Sequence, residues 1–249
     1  MLCCHVGRSG STVLSDSLSQ NPEVKSLSEF FTHYEQAGND LRGITLDYVM
    51  ALVSQQLKNC DEDVLFLEIK FMNFILNRNF GLLKVHKQLA NYFDASTLLL
   101  RRKNTLKRIV SSEKAARSGV YHLEDSLSES APYSEPFALR LGEGYDYDCQ
   151  FYFTDLVHRL RTARKLEENI FAQMSLDARK VKSISYEENI SSAKSLASSI
   201  AELSDWFGVS AASYTVKFKK TSGGLGADVS NFSEVGKALG GTEFAWMYK

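Results

Sequence analysis

The chain has 249 residues, 44% hydrophobic and 24% charged, with a formal net charge of −1. That length buries a substantial core and fits one large α/β domain better than two small ones. A charge so near zero excludes nonspecific nucleic-acid binding, which needs a strong basic field, so any phosphate-binding site must be local. In chain order, residues 1–6 (MLCCHV) predict a short buried strand, 7–10 (GRSG) a turn and 11–20 a helix that stops at Asn21-Pro22. A second strand follows at 24–28, then a helix at 46–57 with Leu46, Val49, Val53 and Leu57 on one face. Residues 64–71 (VLFLEIKF) have the length and composition of a strand, 82–93 of a helix and 96–100 (STLLL) of another buried strand.

A basic helix is predicted over 104–117, whereas 119–149 shows little periodicity and holds two of the three prolines. A long helix follows, with Phe153, Leu156, Val157, Leu160, Ile170, Phe171 and Met174 on one face. The remainder predicts a strand at 181–186, a helix at 192–207, a loop marked by Gly223, Gly224 and Gly226, and a short helix at 229–239. Strands alternating with helices predict a mainly parallel sheet covered on both faces, with ligands at the carboxyl ends of the strands. No repeat or linker divides the chain.

The four cysteines (Cys3, Cys4, Cys60 and Cys149) have no metal-ligand spacing and read as reduced structural thiols, so no metal is expected. With no signal-peptide pattern and no apolar run near the ~20 residues that span a bilayer, a soluble cytoplasmic protein with no membrane partner is expected.

Gly7, Arg8, Ser9, Gly10, Ser11 and Thr12 lie between a predicted strand and a predicted helix. Glycines let the backbone turn tightly and gather N–H groups, the helix N-terminus adds positive potential, the hydroxyls are donors and Arg8 is a fixed cation. These parts suit a phosphate or phosphosulfate. The G-x-x-x-x-G-K-[ST] loop is absent, because Ser11-Thr12 follows Gly10, and Cys3 and Cys4 lie too close to Arg8 for a Cys-x5-Arg loop. An ordinary Ser/Gly-rich turn with Ser11 capping a helix would read the same way. The second half of a site lies at 98–112, where Arg101-Arg102-Lys103-Asn104 leaves a buried strand and Ser111 sits two turns into the next helix. Alone, that segment is an ordinary solvated basic face.

Together the two segments resemble the sulfotransferase superfamily, whose donor is 3'-phosphoadenosine 5'-phosphosulfate (PAPS). Residues 7–12 look like its 5'-phosphosulfate loop, and Arg102 with Ser111 looks like its 3'-phosphate motif. Residues 184–189 (ISYEEN) are similar to the strand end whose tyrosine, here Tyr186, meets adenine. Residues 217–231 (KFKKTSGGLGADVSN), with Lys219 and Lys220, resemble the loop that folds over the 3'-phosphate. The arginine-to-serine spacing is nine, one longer than in animal cytosolic enzymes, which leaves Ser111 and Ser112 both open. Their Lys-x-His strand is replaced by Glu68-Ile69-Lys70-Phe71-Met72. The closer likeness is to bacterial enzymes of the trehalose 2-sulfotransferase type and to cyanobacterial natural-product sulfotransferases, in which a Glu-Phe-Phe-like segment carries a carboxylate base. Here that segment is Ser28-Glu29-Phe30-Phe31.

The resemblance implies a P-loop-type three-layer α/β sandwich over 1–249 as a single domain, with 119–149 as an acceptor-side lid or insertion. It implies PAPS as donor, the 3',5'-bisphosphate (PAP) as product and no metal. The loop amides and Arg8 would hold the phosphosulfate, and Glu29 would be the general base, its pKa raised by Phe30 and Phe31, with His33 in reserve. Lys70 would assist the sulfuryl oxygens or pair with Glu68 or Glu29. A nucleotide-dependent phosphotransferase would use the same cradle but needs magnesium ligands; a non-catalytic nucleotide-binding protein would keep the loop without needing Glu29. Between Gly119 and Asp148, seven acids face one arginine, Arg140, and are interleaved with Tyr121, Tyr133, Tyr145 and Tyr147. The stretch reads equally as a solvated acidic loop or as a lid; an acidic, tyrosine-rich lid favours a small cationic acceptor, for which a saxitoxin-type guanidinium alkaloid is the candidate that the resemblance suggests.

Overall fold

A computed structural model describes residues 1–75, 77–119, 123–124, 135–219 and 224–248. Its elements run β1 (Leu2–His5), α1 (Ser11–Ser19), β2 (Val24–Leu27), α2 (Phe30–Gln36), α3 (Leu46–Lys58), β3 (Val64–Lys70), α4 (Phe71–Ile75), α5 (Leu82–Tyr92) and β4 (Thr97–Arg101). They continue with α6 (Thr105–Ser118), β5 (Leu123–Glu124), β6 (Gly144–Asp146), β7 (Phe151–Phe153), α7 (Leu156–Asp177) and β8 (Val181–Ser185). After a π-helical turn at Tyr186–Ile190 come α8 (Ala193–Phe207), β9 (Phe218–Lys219), α9 (Leu225–Asp228), α10 (Phe232–Leu239) and a 3-10 turn at Ala245–Tyr248. They form two compact units, Met1–Arg101 with Glu168–Val216 and Arg102–Glu167 with Lys217–Lys249.

The first unit is built on an all-parallel sheet in the order β2-β3-β1-β4-β8. Because β1 has a neighbour on each side and helices on each face, it is wholly apolar or paired: Cys3, Cys4 and His5 are all fully buried. Alternation sends Cys3, Phe66, Leu98, Leu100 and Ile184 to one face, where Leu14 and Leu18 of α1 and Leu196, Ile200 and Leu203 of α8 cover them. Thr97 points to the other face and meets His86 of α5 at 2.9 Å. The result is the three-layer α/β sandwich with a parallel sheet that the alternating elements predict. α8 starts at a reciprocal Ser192–Ser195 capping box and ends at left-handed Gly208, which fixes its length.

The second unit gathers α6, α10 and the 3-10 turn around Leu106, Ile109, Val110, Leu156, Leu160, Val235, Leu239, Phe244 and Met247. A buried ion pair, Lys114 to Asp228 at 2.6 Å, ties α6 to α9. Asn231 clasps the backbone of Leu139, accepting from its N–H at 2.8 Å and donating to its carbonyl at 2.9 Å.

Several boundaries differ from the sequence prediction. α7 begins at Leu156, and Phe153 ends β7 instead of extending the helix. The cause is Asp155, which accepts from the His158 N–H at 2.8 Å and thereby caps the helix one residue earlier. Val229 forms a bridge with Phe137, so the last α-helix starts only at Phe232. The 119–149 stretch contributes β6, which pairs with β7 just beyond it, and β5, which pairs with β9; residues 120–122 and 125–134, including Tyr121 and Tyr133, lie outside the described residues. No described helix is long and apolar enough to cross a membrane.

Candidate active site

β1 delivers the loop at residues 7–12 to the carboxyl edge of the sheet. Arg8 (φ 63°) and Gly10 (φ 88°) both have the positive φ of left-handed backbone, a feature of turns whose N–H groups can converge on an anion. At Gly10 no other residue fits easily: an added Cβ would stand 2.6 Å from Cδ2 of Tyr186 and 3.3 Å from Ile190. Tyr186, the predicted adenine contact, therefore lies with its ring against the turn of the loop. It opens the π-helical turn, a geometry that recurs at functional sites, and Ser185 caps that turn by accepting from the Glu188 N–H.

α1 has no side-chain cap and no acid in its own first turn; the carboxylate that meets its start is that of Glu68 on β3. Two of the loop hydroxyls serve the protein. Ser9 donates to the Val6 carbonyl, and Ser11 hydrogen-bonds the Glu68 carboxylate.

The neighbouring strand, β3, supplies an ion pair. In register, Lys70 stands beside His5, at the end of β3. Its ammonium meets the Glu29 carboxylate at 2.6 Å, both side chains being about 15% exposed. Lys70 thus pairs with Glu29 and not with Glu68. Glu29 precedes α2 in a left-handed conformation (φ 51°), and Phe31 behind it is fully buried, edge-on to Phe74 at 4.8 Å. The Lys70 N–H donates to Asn73 at 3.0 Å, and Asn73 in turn reaches Thr32 of α2. His33 is exposed, one turn after Glu29.

Behind this pair lies a network that the sequence reading passed over. Glu68, 1% exposed, accepts from Ser28 Oγ at 3.0 Å, and its other oxygen meets His5 Nε2 at 2.7 Å. Burial pushes its carboxyl up, but His5, Ser11 and Lys70 more than offset this and leave it below the ordinary carboxylate value. The available signal was alternation: Phe66, Glu68 and Lys70 share one face of β3, so a second carboxylate had to lie beside the lysine.

In the second unit, Arg102 directly follows β4, and Asn104 caps α6 by accepting from the Lys107 N–H at 2.9 Å. Ser111 is buried on α6, whereas Ser112 donates to Asp148 at 3.1 Å. Lys219 lies in β9, and Lys220 is outside the described residues. Asp146 is buried and paired with Arg159 at 2.8 Å. Tyr145 stands at the centre of an aromatic group, 5.1 Å from Tyr147 and 4.8 Å from Tyr152, with both partners largely exposed. Among the described residues, no group of three or more His, Cys, Asp or Glu side chains is placed to hold a metal ion.

No protein-family model matches the chain, and no curated protein matches it. Among solved structures, a sulfotransferase from Alicyclobacillus acidocaldarius is similar over 99% of this chain and 91% of its own length, with 16% identity and a TM-score of 0.48.

Proposed function

We propose that the chain is a sulfotransferase that moves a sulfuryl group from PAPS to a hydroxyl or nitrogen of a small-molecule acceptor. The observation that carries this reading is the junction at the end of β1 and β3. There a glycine-turned loop carrying Arg8, with Tyr186 against it, issues from the strand next to the one whose Lys70 holds Glu29 at 2.6 Å. An anion cradle and a carboxylate–ammonium pair on neighbouring strand ends are the parts that sulfuryl transfer needs.

In the proposed step, the acceptor atom bonds to sulfur as the bond from sulfur to the bridging phosphate oxygen breaks. The acceptor proton passes to Glu29, and the electron pair stays on the leaving 5'-phosphate, giving PAP. Arg8 and the loop amides stabilise the charge that grows on the leaving oxygen, and Lys70 faces the sulfuryl oxygens. The 3'-phosphate is assigned to Arg102 and Ser111, with Lys219 and Lys220, on their sequence resemblance, and Ser112 remains the alternative to Ser111.

For the acceptor we favour a small cation, a guanidinium alkaloid of the saxitoxin kind being one candidate. Tyr145, Tyr147 and Tyr152 offer ring faces for it. Asp146 and Asp148 are already engaged by Arg159 and Ser112, so the rings and not these carboxylates support that choice.

The test is turnover of radiolabelled PAPS with a panel of guanidinium, neutral-sugar and phenolic acceptors. Glu29→Gln is expected to keep PAP affinity and lose about 10²–10⁴-fold in kcat. Wild-type turnover in Glu29→Gln, with His33→Ala inactive, would reassign the base. No PAP formation with any acceptor would remove the reading.

A further inference from the structure

Glu68 touches three separate pieces of the first unit. His5 on β1, Ser11 at the start of α1 and Ser28 at the end of the β2 segment all hydrogen-bond one buried carboxylate. A buried carboxylate with three partners is tightly constrained, because each remaining donor would be left unsatisfied if the group moved. Two positions further along the same face of β3, Lys70 holds Glu29, the residue that directly follows Ser28. Glu29 sits at φ 51°, a conformation that a non-glycine residue keeps only where its surroundings impose it.

We infer that Glu68, clamped by His5, is a positioning residue that fixes the Glu29 corner through Ser28 and keeps it in register with the anion loop through Ser11. The acid–ammonium pair is then set by β3 alone: Glu68 anchors the residue before the base, and Lys70 anchors the base itself. His5 closes the second carboxylate oxygen and fixes its rotamer, while its other ring nitrogen contacts the Val6 carbonyl at 3.2 Å. The consequence for catalysis rests on the sulfuryl-transfer reading; the fixing of the corner does not.

Glu68→Ala would strip three partners at once and endanger the fold, so Ser28→Ala is the informative change. It removes one hydrogen bond and leaves the His5 and Ser11 contacts in place. In an active wild-type background, Ser28→Ala is expected to lower kcat about tenfold while leaving PAP affinity within about twofold, and Ser28→Thr, which keeps the hydroxyl, restores kcat. A role confined to stability would lower the melting temperature and leave kcat per folded molecule unchanged.

The activity-independent readout is hydrogen exchange at the His33 amide, which donates to the Glu29 carbonyl at 2.9 Å. This exchange is expected to accelerate about tenfold in Ser28→Ala and to recover in Ser28→Thr. Faster exchange in a protein that never turns over PAPS would uphold the fixing of the corner and remove sulfuryl transfer. Unchanged exchange at His33, or unchanged kcat in an active background, overturns the inference.

Discussion

At residue scale, Gly10 is constrained both by its backbone and by its neighbours. Its φ of 88° already disfavours a side chain, by roughly 1–2 kcal/mol, and the Tyr186 ring occupies the space where a Cβ would go. Gly10→Ala should therefore destabilise the protein by at least that amount and weaken PAP binding. In a Tyr186→Ala background the ring clash disappears and the backbone term and the looser Ile190 contact remain, so the two changes should be clearly less than additive in a double-mutant cycle of chemical denaturation. Strict additivity would mean that the ring does not press on the loop in solution. Glu29 shows the limit of reading residues singly. Its place beside two phenylalanines was legible, but its partner was not, because Lys70 is 41 residues away and could equally have met Glu68.

At element scale, strand and helix existence was largely legible because each apolar run has a clear period, and the order β-α-β implied a parallel sheet. Corners were not. α2, α4 and the π-helical turn at Tyr186–Ile190 are too short for periodicity to register. The ends of β3 and α7 depend on caps and on tertiary contacts. The contact between α5 and β4 leads to a pH prediction. Burial lowers the pKa of His86 to about 4, with nearby Asp177 opposing the shift, and Nδ1 has no hydrogen-bond partner among the described residues. The folded state therefore resists protonating a group that titrates near 6.5 when unfolded. Its contribution is complete above pH 6.5, declines as pH falls toward 4 and totals on the order of 3 kcal/mol. His86→Gln, which keeps a donor for Thr97, should flatten the melting-temperature profile between pH 6.5 and 4. An unaltered slope would place the acid sensitivity elsewhere.

At the scale of the whole molecule, ligand linkage separates the nucleotide readings. A ligand at 100 times its Kd adds about 2.7 kcal/mol to stability, so PAP should raise the melting temperature by several degrees, and ATP with magnesium should not. The reverse order would favour a phosphotransferase. The sheet order also bears on how the chain reaches its working form. β1 is central, and Leu2 finds its partners only at Leu67 and Thr97. The turn at Gly10 gains its covering ring later still, from Tyr186. The loop at residues 7–12 precedes its partners in the chain and acquires its shape only after β8 has docked, since long-range pairings must absorb their loop-closure entropy before they stabilise anything. Affinity for PAP should therefore appear in refolding experiments at the same time as the final strand pairing, and a chain halted before residue 186 should have none.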